Sequence, residues 1–252
     1  SVLYQDGDSS VDLAVMNDAA RSAYRRRMQY IFQDPQGSLN PRMTVLDAVS
    51  EPLKVQGIGD KASQRARVEE LFGLVGVDPR FLNRYPHSFS GGQKQRLGVA
   101  RALTLEPKLL LLDEPVSALD VSTQAQVLNL LNDLRANLGL TYLFISHNLA
   151  VVNYVADRVA VMCAGRLVEV APRRALFADP RHPYTRALLA SAPSPDLDRR
   201  LDFELIRDGA ATDPGKWPAP FDDREGVANE LVEVGPGHFV RARVDAKVKE
   251  LV

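Results

Sequence analysis

An uninterrupted run of leucines followed by two carboxylates constrains this chain more than any other feature of its sequence. Residues 109–120 read LLLLDEPVSALD, and the four leucines make the segment apolar on both faces of a strand. Such a strand is predicted to lie centrally in a parallel sheet that is covered on both sides. Pro115 removes a backbone donor and ends the strand after Asp113 and Glu114.

The two carboxylates are expected at the sheet edge where open α/β folds bind their ligands. Adjacent buried negative charges are costly unless a cation compensates for them, as Mg²⁺ with triphosphate oxygens would do. In this interpretation Asp113 holds the metal through water, and Glu114 orients or deprotonates the water that attacks the γ-phosphate. The alternative is a strand that merely ends at an acidic turn, because short motifs recur by chance.

The bulk composition limits the classes of protein to consider. The 252 residues suffice for one large domain or two small ones, and a formal net charge of −1 provides no basic field for nucleic acid. The single cysteine, Cys163, excludes an intrachain disulfide framework and an all-cysteine metal site within one chain. No apolar run reaches the ~18 residues of a membrane-spanning helix, so we expect membrane association to come through a partner.

Two further polar residues follow predicted strands. Gln33 comes after the apolar strand 28–32, and His147 comes after the buried strand 141–145. If both strands end at the ligand-binding edge, Gln33 can reach into the site, and His147 can contact the γ-phosphate or the attacking water. The alternatives are a loop glutamine and a structural histidine.

The sequence Ser90-Gly91-Gly92-Gln93 is predicted to open a helix that runs to about Leu105. Two glycines before a helix let backbone amides point into one concavity, and the helix N-terminus adds partial positive charge there. This arrangement suits a phosphate, with the Ser90 hydroxyl as a further donor. The alternative is an ordinary helix cap.

The remaining segments predict the organisation of the chain. Residues 36–84 combine turn residues with two predicted helices, 45–55 and 63–75, which is typical of a small helical subdomain inserted into the α/β core. Beyond Ala171 prolines become frequent. That region is predicted to contain a helix, a linker and a strand or hairpin, in this order: 184–191, 210–223 and 231–244.

Five signals stand in one order along the chain: Gln33, Ser90 to Gln93, Leu109 to Glu114, Ser117 to Asp120, and His147. In this order and at these separations they resemble the ATP-binding cassette (ABC) ATPases. The resemblance implies an α/β fold of the P-loop NTPase type, with a mixed sheet core, an inserted helical subdomain and a C-terminal extension.

The same resemblance implies a role for each site residue. Gln33 would be the loop glutamine that senses the metal and the transmembrane partner, and His147 would be the switch histidine. Ser90 to Gln93 would close on ATP held by the opposite subunit, and Asp120 would line the dimer interface. The two carboxylates of the leucine strand would be the metal-side aspartate and the catalytic carboxylate.

A finer resemblance, to the oligopeptide/dipeptide importer branch, rests on FQDPQGSLNPRM at 32–43 and RHPYTRALLASAP at 181–193. It covers residues 1 to about 195. It implies four regions, namely a partial ATPase core, the helical signature subdomain, the rest of the core and the extension: 1–35, 36–105, 106–170 and 171–252. Some relatives carry a cysteine cluster near the C-terminus, which this chain lacks, so no iron–sulfur site is implied.

The resemblance implies ATP and Mg²⁺ as cofactors and a peripheral location at the cytoplasmic face of the inner membrane. The implied partners are a second ATPase subunit, identical or homologous, permease subunits in the membrane and, indirectly, an extracytoplasmic solute-binding protein. No nucleic acid is expected. Two alternatives stay open, namely a cassette ATPase that acts on DNA or ribosomes and a non-hydrolysing cassette that serves as an interaction module.

The family's phosphate loop, G-x-x-x-x-G-K-[ST], does not occur in the 252 residues, because Trp217 follows the one Gly-Lys pair, Gly215-Lys216. Ser1 to Gly7 resembles the strand that follows the phosphate-loop helix. We therefore expect an N-terminally incomplete core that begins about 50–60 residues late, with unpaired apolar edges and a groove in the sheet. A fragment, a shortened gene model, half of a fused double cassette and a degenerate cassette are the open explanations.

Overall fold

The computed structural model describes most of the chain, namely residues 1–7, 9–34, 37, 39–191, 212–222 and 228–251. These residues divide into two compact units, 1–147 and 148–252. The predicted division into four regions stays a prediction. Among the described residues, none of the helices combines the length and the apolar character that a membrane crossing requires.

The N-terminal unit contains a hairpin and a three-stranded parallel sheet. The hairpin pairs β1 with β2, and the parallel sheet has the order β3-β4-β5. The five strands are β1 (Leu3–Asp6), β2 (Ser9–Asp12), β3 (Met28–Ile31), β4 (Leu109–Asp113) and β5 (Thr141–Ile145). The leucine-rich strand β4 is therefore central in a parallel sheet, as predicted, and β3 and β5 are its neighbours.

Only one face of this sheet is fully covered in the described part of the unit. Side chains alternate between the faces of a strand, so Leu110 and Leu112 share a face, and both are completely buried. On the opposite face, Leu143 and Ile145 of β5 are 53% and 48% exposed. The expectation of cover on both sides is therefore wrong for this second face, because no layer packs against its apolar side chains among residues described in 1–147.

The described part of the N-terminal unit has five α-helices, each preceded by a residue whose side chain accepts a backbone N–H. They are α1 (Asp18–Arg27), α2 (Val45–Val55), α3 (Lys61–Val75), α4 (Gly91–Leu103) and α5 (Val121–Leu138). Helices α2, α3 and α4 bury Val49, Phe72 and Leu97 completely, which gives the predicted helical block a core of its own. Helix α5 begins after Asp120 and is capped at its C-terminus by Gly139, which has a φ of +63°.

The C-terminal unit is built on an antiparallel sheet with the order β6-β7-β9-β8. Its strands are β6 (Arg158–Cys163), β7 (Arg166–Pro172), β8 (Asn229–Gly235) and β9 (His238–Arg243). The α-helices in its described part are α6 (Leu149–Val155), α7 (Arg173–Ala178), α8 (Pro183–Ala190) and α9 (Val248–Leu251). The pairs β6–β7 and β8–β9 each form a hairpin, and their turns contain positive φ values at Ala164, Gly165 and Gly237.

The predicted linker at 210–223 is wrong for its described part, 212–222. Trp217 is 5% exposed and joins the apolar core with Val168 and Leu176. Its ring lies edge-on to that of His182, with 4.5 Å between the ring centroids. The Pro- and Gly-rich composition suggested a linker, but one buried aromatic side chain fixes this segment against the unit. Residues 210, 211 and 223 lie outside the described part of the chain.

Candidate functional site

The ends of β3, β4 and β5 bring three predicted site residues into direct contact. Nε2 of Gln33 donates to Oε2 of Glu114 over 2.7 Å, and Nδ1 of His147 lies 2.7 Å from Oε1 of Glu114. These residues come from three different strand ends that meet because the strands are parallel and adjacent. We call Gln33, Glu114 and His147 the strand-end cluster.

The backbone at Glu114 is held in an unusual conformation. Its φ is +44°, in a region that residues with a β-carbon rarely adopt. The Glu114 amide donates to the carbonyl of Ile145 over 2.9 Å, and the Glu114 carbonyl accepts from the amide and hydroxyl of Ser117 over 3.2 and 3.0 Å. These three hydrogen bonds offset the conformational cost and fix the direction in which the carboxylate leaves the backbone.

The hydrogen bonds of the cluster define its chemistry. An ionised carboxylate can only accept hydrogen bonds, so the contact with Glu114 requires a proton on Nδ1 of His147. The Glu114 side chain is 20% exposed and that of His147 is 73% exposed. The cluster is therefore a carboxylate with both oxygens oriented by neighbours, next to an imidazole that remains open to a reactant. This arrangement suits a group that orients water or accepts its proton.

Asp113 has a hydrogen-bond partner that the sequence did not predict. The Tyr30 hydroxyl donates to Oδ2 of Asp113 over 2.6 Å, and this bond raises the pKa of Tyr30 above its ordinary value. Tyr30 lies opposite Leu111 in the β3–β4 register, two positions before Asp113 on the same face of β4. The contact between Tyr30 and Asp113 could be predicted only by knowing which residues of β3 and β4 lie opposite each other. The sequence alone does not specify that pairing.

The carboxylates fit a metal ion that is shared with a bound phosphate. Among the described residues, no group of three or more His, Cys, Asp or Glu side chains is arranged to hold a metal. Mg²⁺ commonly takes only one or two protein carboxylates and completes its shell with waters and substrate phosphates. Asp113, as a hydrogen-bonded carboxylate at a strand end beside Glu114, is the kind of ligand that such an ion uses.

The Ser90-Gly91-Gly92-Gln93 segment begins α4 with a capping box. The amide of Gln93 donates to Oγ of Ser90 over 3.3 Å, and the amide of Ser90 donates to Oε1 of Gln93 over 3.0 Å. The alternative of an ordinary helix cap is thus realised in the structure. It leaves the exposed positions Ser90 and Gly91 available for a second role.

The start of α4 packs against the start of α5. A β-carbon at Gly92 would lie 2.2 Å from Cγ2 of Thr123, so no larger residue fits there without a shift. Thr123 also donates from its hydroxyl and its amide to the Asp120 carboxylate, over 2.7 and 2.9 Å. The hydrogen bond from the Ser122 hydroxyl, and then these two from Thr123, lower the pKa of Asp120 far below its usual range. Asp120 and the Ser90 segment therefore form a second group, joined through Thr123.

Two family models match the chain. The model for the ABC transporter matches residues 2–117, and the model for the oligopeptide/dipeptide transporter C-terminal region matches residues 168–224. The first match contains Gln33, Asp113 and Glu114, and the second contains His182 and Trp217.

Several curated proteins are similar over most of the chain. A putative peptide import ATP-binding protein of Brucella ovis is 51% identical over 90% of this chain and 75% of its own length. The oligopeptide transport ATP-binding protein OppF of Bacillus subtilis is 49% identical over 86% and 69%. Among solved structures, CbiO1 of Clostridium perfringens, part of the ABC transporter complex CbiONQ, is 29% identical with a TM-score of 0.59, over 65% of this chain and 64% of that chain.

Proposed function

The chain belongs to the ATP-binding proteins of ABC transporters, and from that premise we propose that it hydrolyses ATP to energise the import of peptides or related small solutes. The observation that carries the catalytic part is the double hydrogen bonding of Glu114 by Gln33 and His147. The match to the oligopeptide/dipeptide C-terminal region and the names of the relatives support the class of solute.

Glu114 is proposed as the catalytic carboxylate. Gln33 and His147 each hold one of its oxygens at 2.7 Å, so the carboxylate is fixed before a reactant arrives. A carboxylate fixed in this way can orient a water molecule for in-line attack on the γ-phosphate and accept its proton. His147 is largely exposed and is proposed to contact the same phosphate.

Asp113 is proposed to hold Mg²⁺, directly or through water, together with phosphate oxygens of ATP. The position of Asp113 supports this assignment, because it supplies a hydrogen-bonded carboxylate at the strand end and the phosphates would supply the remaining negative oxygens. When bound, the ion would neutralise charge on the phosphate oxygens. The chain itself holds Asp113 through the Tyr30 hydroxyl and Glu114 through Gln33 and His147, so each carboxylate has its own partners.

The starts of α4 and α5 are proposed to face a second ATP-binding subunit. Ser90 and Gly91 are exposed, Asp120 is exposed, and the apolar side chain of Val121 is 83% exposed beside it. Backbone amides at the start of a helix attract phosphate, so Ser90 to Gln93 suit a nucleotide held by the other subunit.

The proposed partners follow from this assignment. They are a second ATP-binding subunit, permease subunits in the membrane and, through the permease, a solute-binding protein. The chain would then be peripheral at the cytoplasmic face of the inner membrane. The alternative of a cassette that acts on DNA or ribosomes is not favoured, because residues 168–224 match a transporter region and the formal net charge is −1.

The test is ATP turnover by the chain assembled with its permease and solute-binding protein in lipid vesicles. We expect turnover that rises when the binding protein is loaded with peptide. Turnover that responds to DNA or ribosomes but not to the permease would contradict the transport proposal. Assembly with the permease without ATP binding or turnover would favour the interaction module.

A further inference from the structure

The strand β3 and the residues directly after it supply one hydrogen-bond donor to each of the two adjacent carboxylates, Asp113 and Glu114. Gln33, just beyond the end of β3, donates to Glu114, and Tyr30 within β3 donates to Asp113. The proposed function assigns a role to Gln33 but none to Tyr30. The hydroxyl of Tyr30 is nevertheless the group that reaches the proposed metal-side carboxylate, at 2.6 Å from Oδ2.

The position of Tyr30 follows from the sheet and not from chance contact of a mobile side chain. Tyr30 pairs with Leu111, and Asp113 lies two residues further along β4 on the same face, within reach of a long aromatic side chain. The Tyr30 ring also packs against the ring of Phe32, with 4.5 Å between the centroids. The strand register and this ring contact together limit where the hydroxyl can go.

We propose that Tyr30 is a positioning residue for Mg²⁺ binding, and that its hydroxyl holds Oδ2 of Asp113 so that the other carboxylate oxygen is presented to the ion. This inference rests on the proposed function, because it assumes that Asp113 is the metal-side carboxylate. It goes beyond that function by assigning a role to Tyr30, which is not one of the five signals read from the sequence.

The energetic reason lies in the chemistry of the contact. A hydrogen bond from a hydroxyl to a carboxylate at 2.6 Å is short and charge-assisted, and such bonds are roughly twice as strong as neutral ones. Carboxylates that bind metal ions are themselves commonly held by hydrogen bonds, and loss of such a partner typically weakens metal affinity about 10–100-fold. Without Tyr30, the Asp113 carboxylate would have to be ordered when the ion binds.

The variant that tests the inference is Tyr30→Phe, which removes the hydroxyl and keeps the ring beside Phe32. The matched control is Tyr142→Phe, because the Tyr142 hydroxyl donates to the carbonyl of Leu131 over 2.8 Å and no carboxylate is involved. Tyr142 lies on the neighbouring strand β5, opposite Leu110, so it belongs to the other face of the same sheet.

The measurement is the affinity for ATP with Mg²⁺ and with EDTA, for the wild-type chain and both variants. The ratio of the two dissociation constants gives the gain due to the metal. We expect Tyr30→Phe to reduce this gain about tenfold. Its affinity for ATP in EDTA should stay unchanged, and Tyr142→Phe should retain the wild-type gain. The affinity for Mn²⁺ in the presence of ATP, followed by electron paramagnetic resonance, should fall by the same factor in Tyr30→Phe.

The possible failures are distinguishable. If the wild-type chain gains affinity from Mg²⁺ and Tyr30→Phe gains as much or more, the role of Tyr30 is wrong and the proposed function stands. An equal loss in Tyr142→Phe would also overturn the role, because it would show a general effect on the sheet. If the wild-type chain binds ATP without any gain from Mg²⁺, the proposed metal-binding role of Asp113 and this inference fall together.

Discussion

The two units each contain a glutamate paired with a histidine at the same distance, but the two pairs differ in environment. In the N-terminal unit, Oε1 of Glu114 lies 2.7 Å from His147, and both side chains are partly or largely exposed. In the C-terminal unit, Oε1 of Glu169 lies 2.7 Å from Nε2 of His238, and these side chains are 0% and 9% exposed. The same pair of residue types therefore occurs at an open site and in a core.

The partners of the two glutamates explain why only one of them suits chemistry. Both oxygens of Glu169 accept backbone amides, from Arg181 over 2.8 Å and from His182 over 3.0 Å, in addition to the His238 contact. No water can reach this carboxylate without breaking the junction between β7, β9 and the start of α8. Burial with full hydrogen bonding makes Glu169 a structural group, whereas the accessible Glu114 can meet a reactant.

The sharpest test of this difference is the same substitution at both glutamates, beginning with Glu114→Gln. We expect turnover of ATP to fall about 10²–10⁴-fold, because an amide cannot accept the proton of the attacking water. ATP binding should persist, and the free energy of unfolding should fall by no more than about 1.5 kcal/mol, the contribution of one hydrogen bond that water can replace. Steady-state hydrolysis and equilibrium nucleotide binding check this prediction, and near-normal turnover would remove Glu114 from the catalytic role.

Glu169→Gln should show the opposite pattern. One carboxylate oxygen becomes an NH₂ group that faces N–H donors of the chain, which leaves buried donors without an acceptor. We expect the free energy of unfolding to fall by about 3 kcal/mol, with turnover per folded molecule unchanged. Urea unfolding measures the first quantity and turnover at low temperature measures the second. A loss of turnover in fully folded Glu169→Gln would break the contrast between the two pairs.

The pH dependence of stability offers a third test, at His182. Burial, and then the charge of Arg241, lowers the pKa of His182 from 6.5 to about 3 in the folded chain. Between these two values the unfolded chain binds a proton that the folded chain does not, so stability falls as the pH falls through this window. From pH 7 to pH 5 we expect a loss of about 2 kcal/mol from this residue.

The matched variants for this pH effect are His182→Asn and His87→Asn. An asparagine at 182 can still accept the amide of Tyr184 as a helix cap, as Nδ1 of His182 does over 3.1 Å. Urea unfolding at pH 5, 6 and 7 should show a shallower slope for His182→Asn and the wild-type slope for His87→Asn, since His87 is exposed. A wild-type slope in His182→Asn would show that another group causes the loss.

The sequence alone was sufficient to predict that the strand-end cluster comes together, but not that Glu169 meets His238. The reason lies in the topology of the two sheets. Parallel strands end at a common edge, so a pattern of buried strands places Gln33, Glu114 and His147 together without knowledge of the register. Glu169 and His238 are 69 positions apart and meet only because β7 pairs with β9. Nothing in the local pattern around Gly235 and Gly237 specifies which strand that hairpin joins.

The smallest expected difference is between the two histidines, His238→Gln and His147→Gln. Glutamine retains an N–H donor but loses the ring. At position 238 the buried Oε1 of Glu169 would keep the amide of Arg181 and lose an optimal second donor, for a cost of about 1 kcal/mol in unfolding free energy. At position 147 the largely exposed ring makes a contribution within about 0.5 kcal/mol. Equal destabilisation by both substitutions, measured by urea unfolding at pH 7, would show that burial does not separate the two pairs. A larger cost at 238 would show that a hydrogen bond of the same length stabilises the fold only where water cannot replace it.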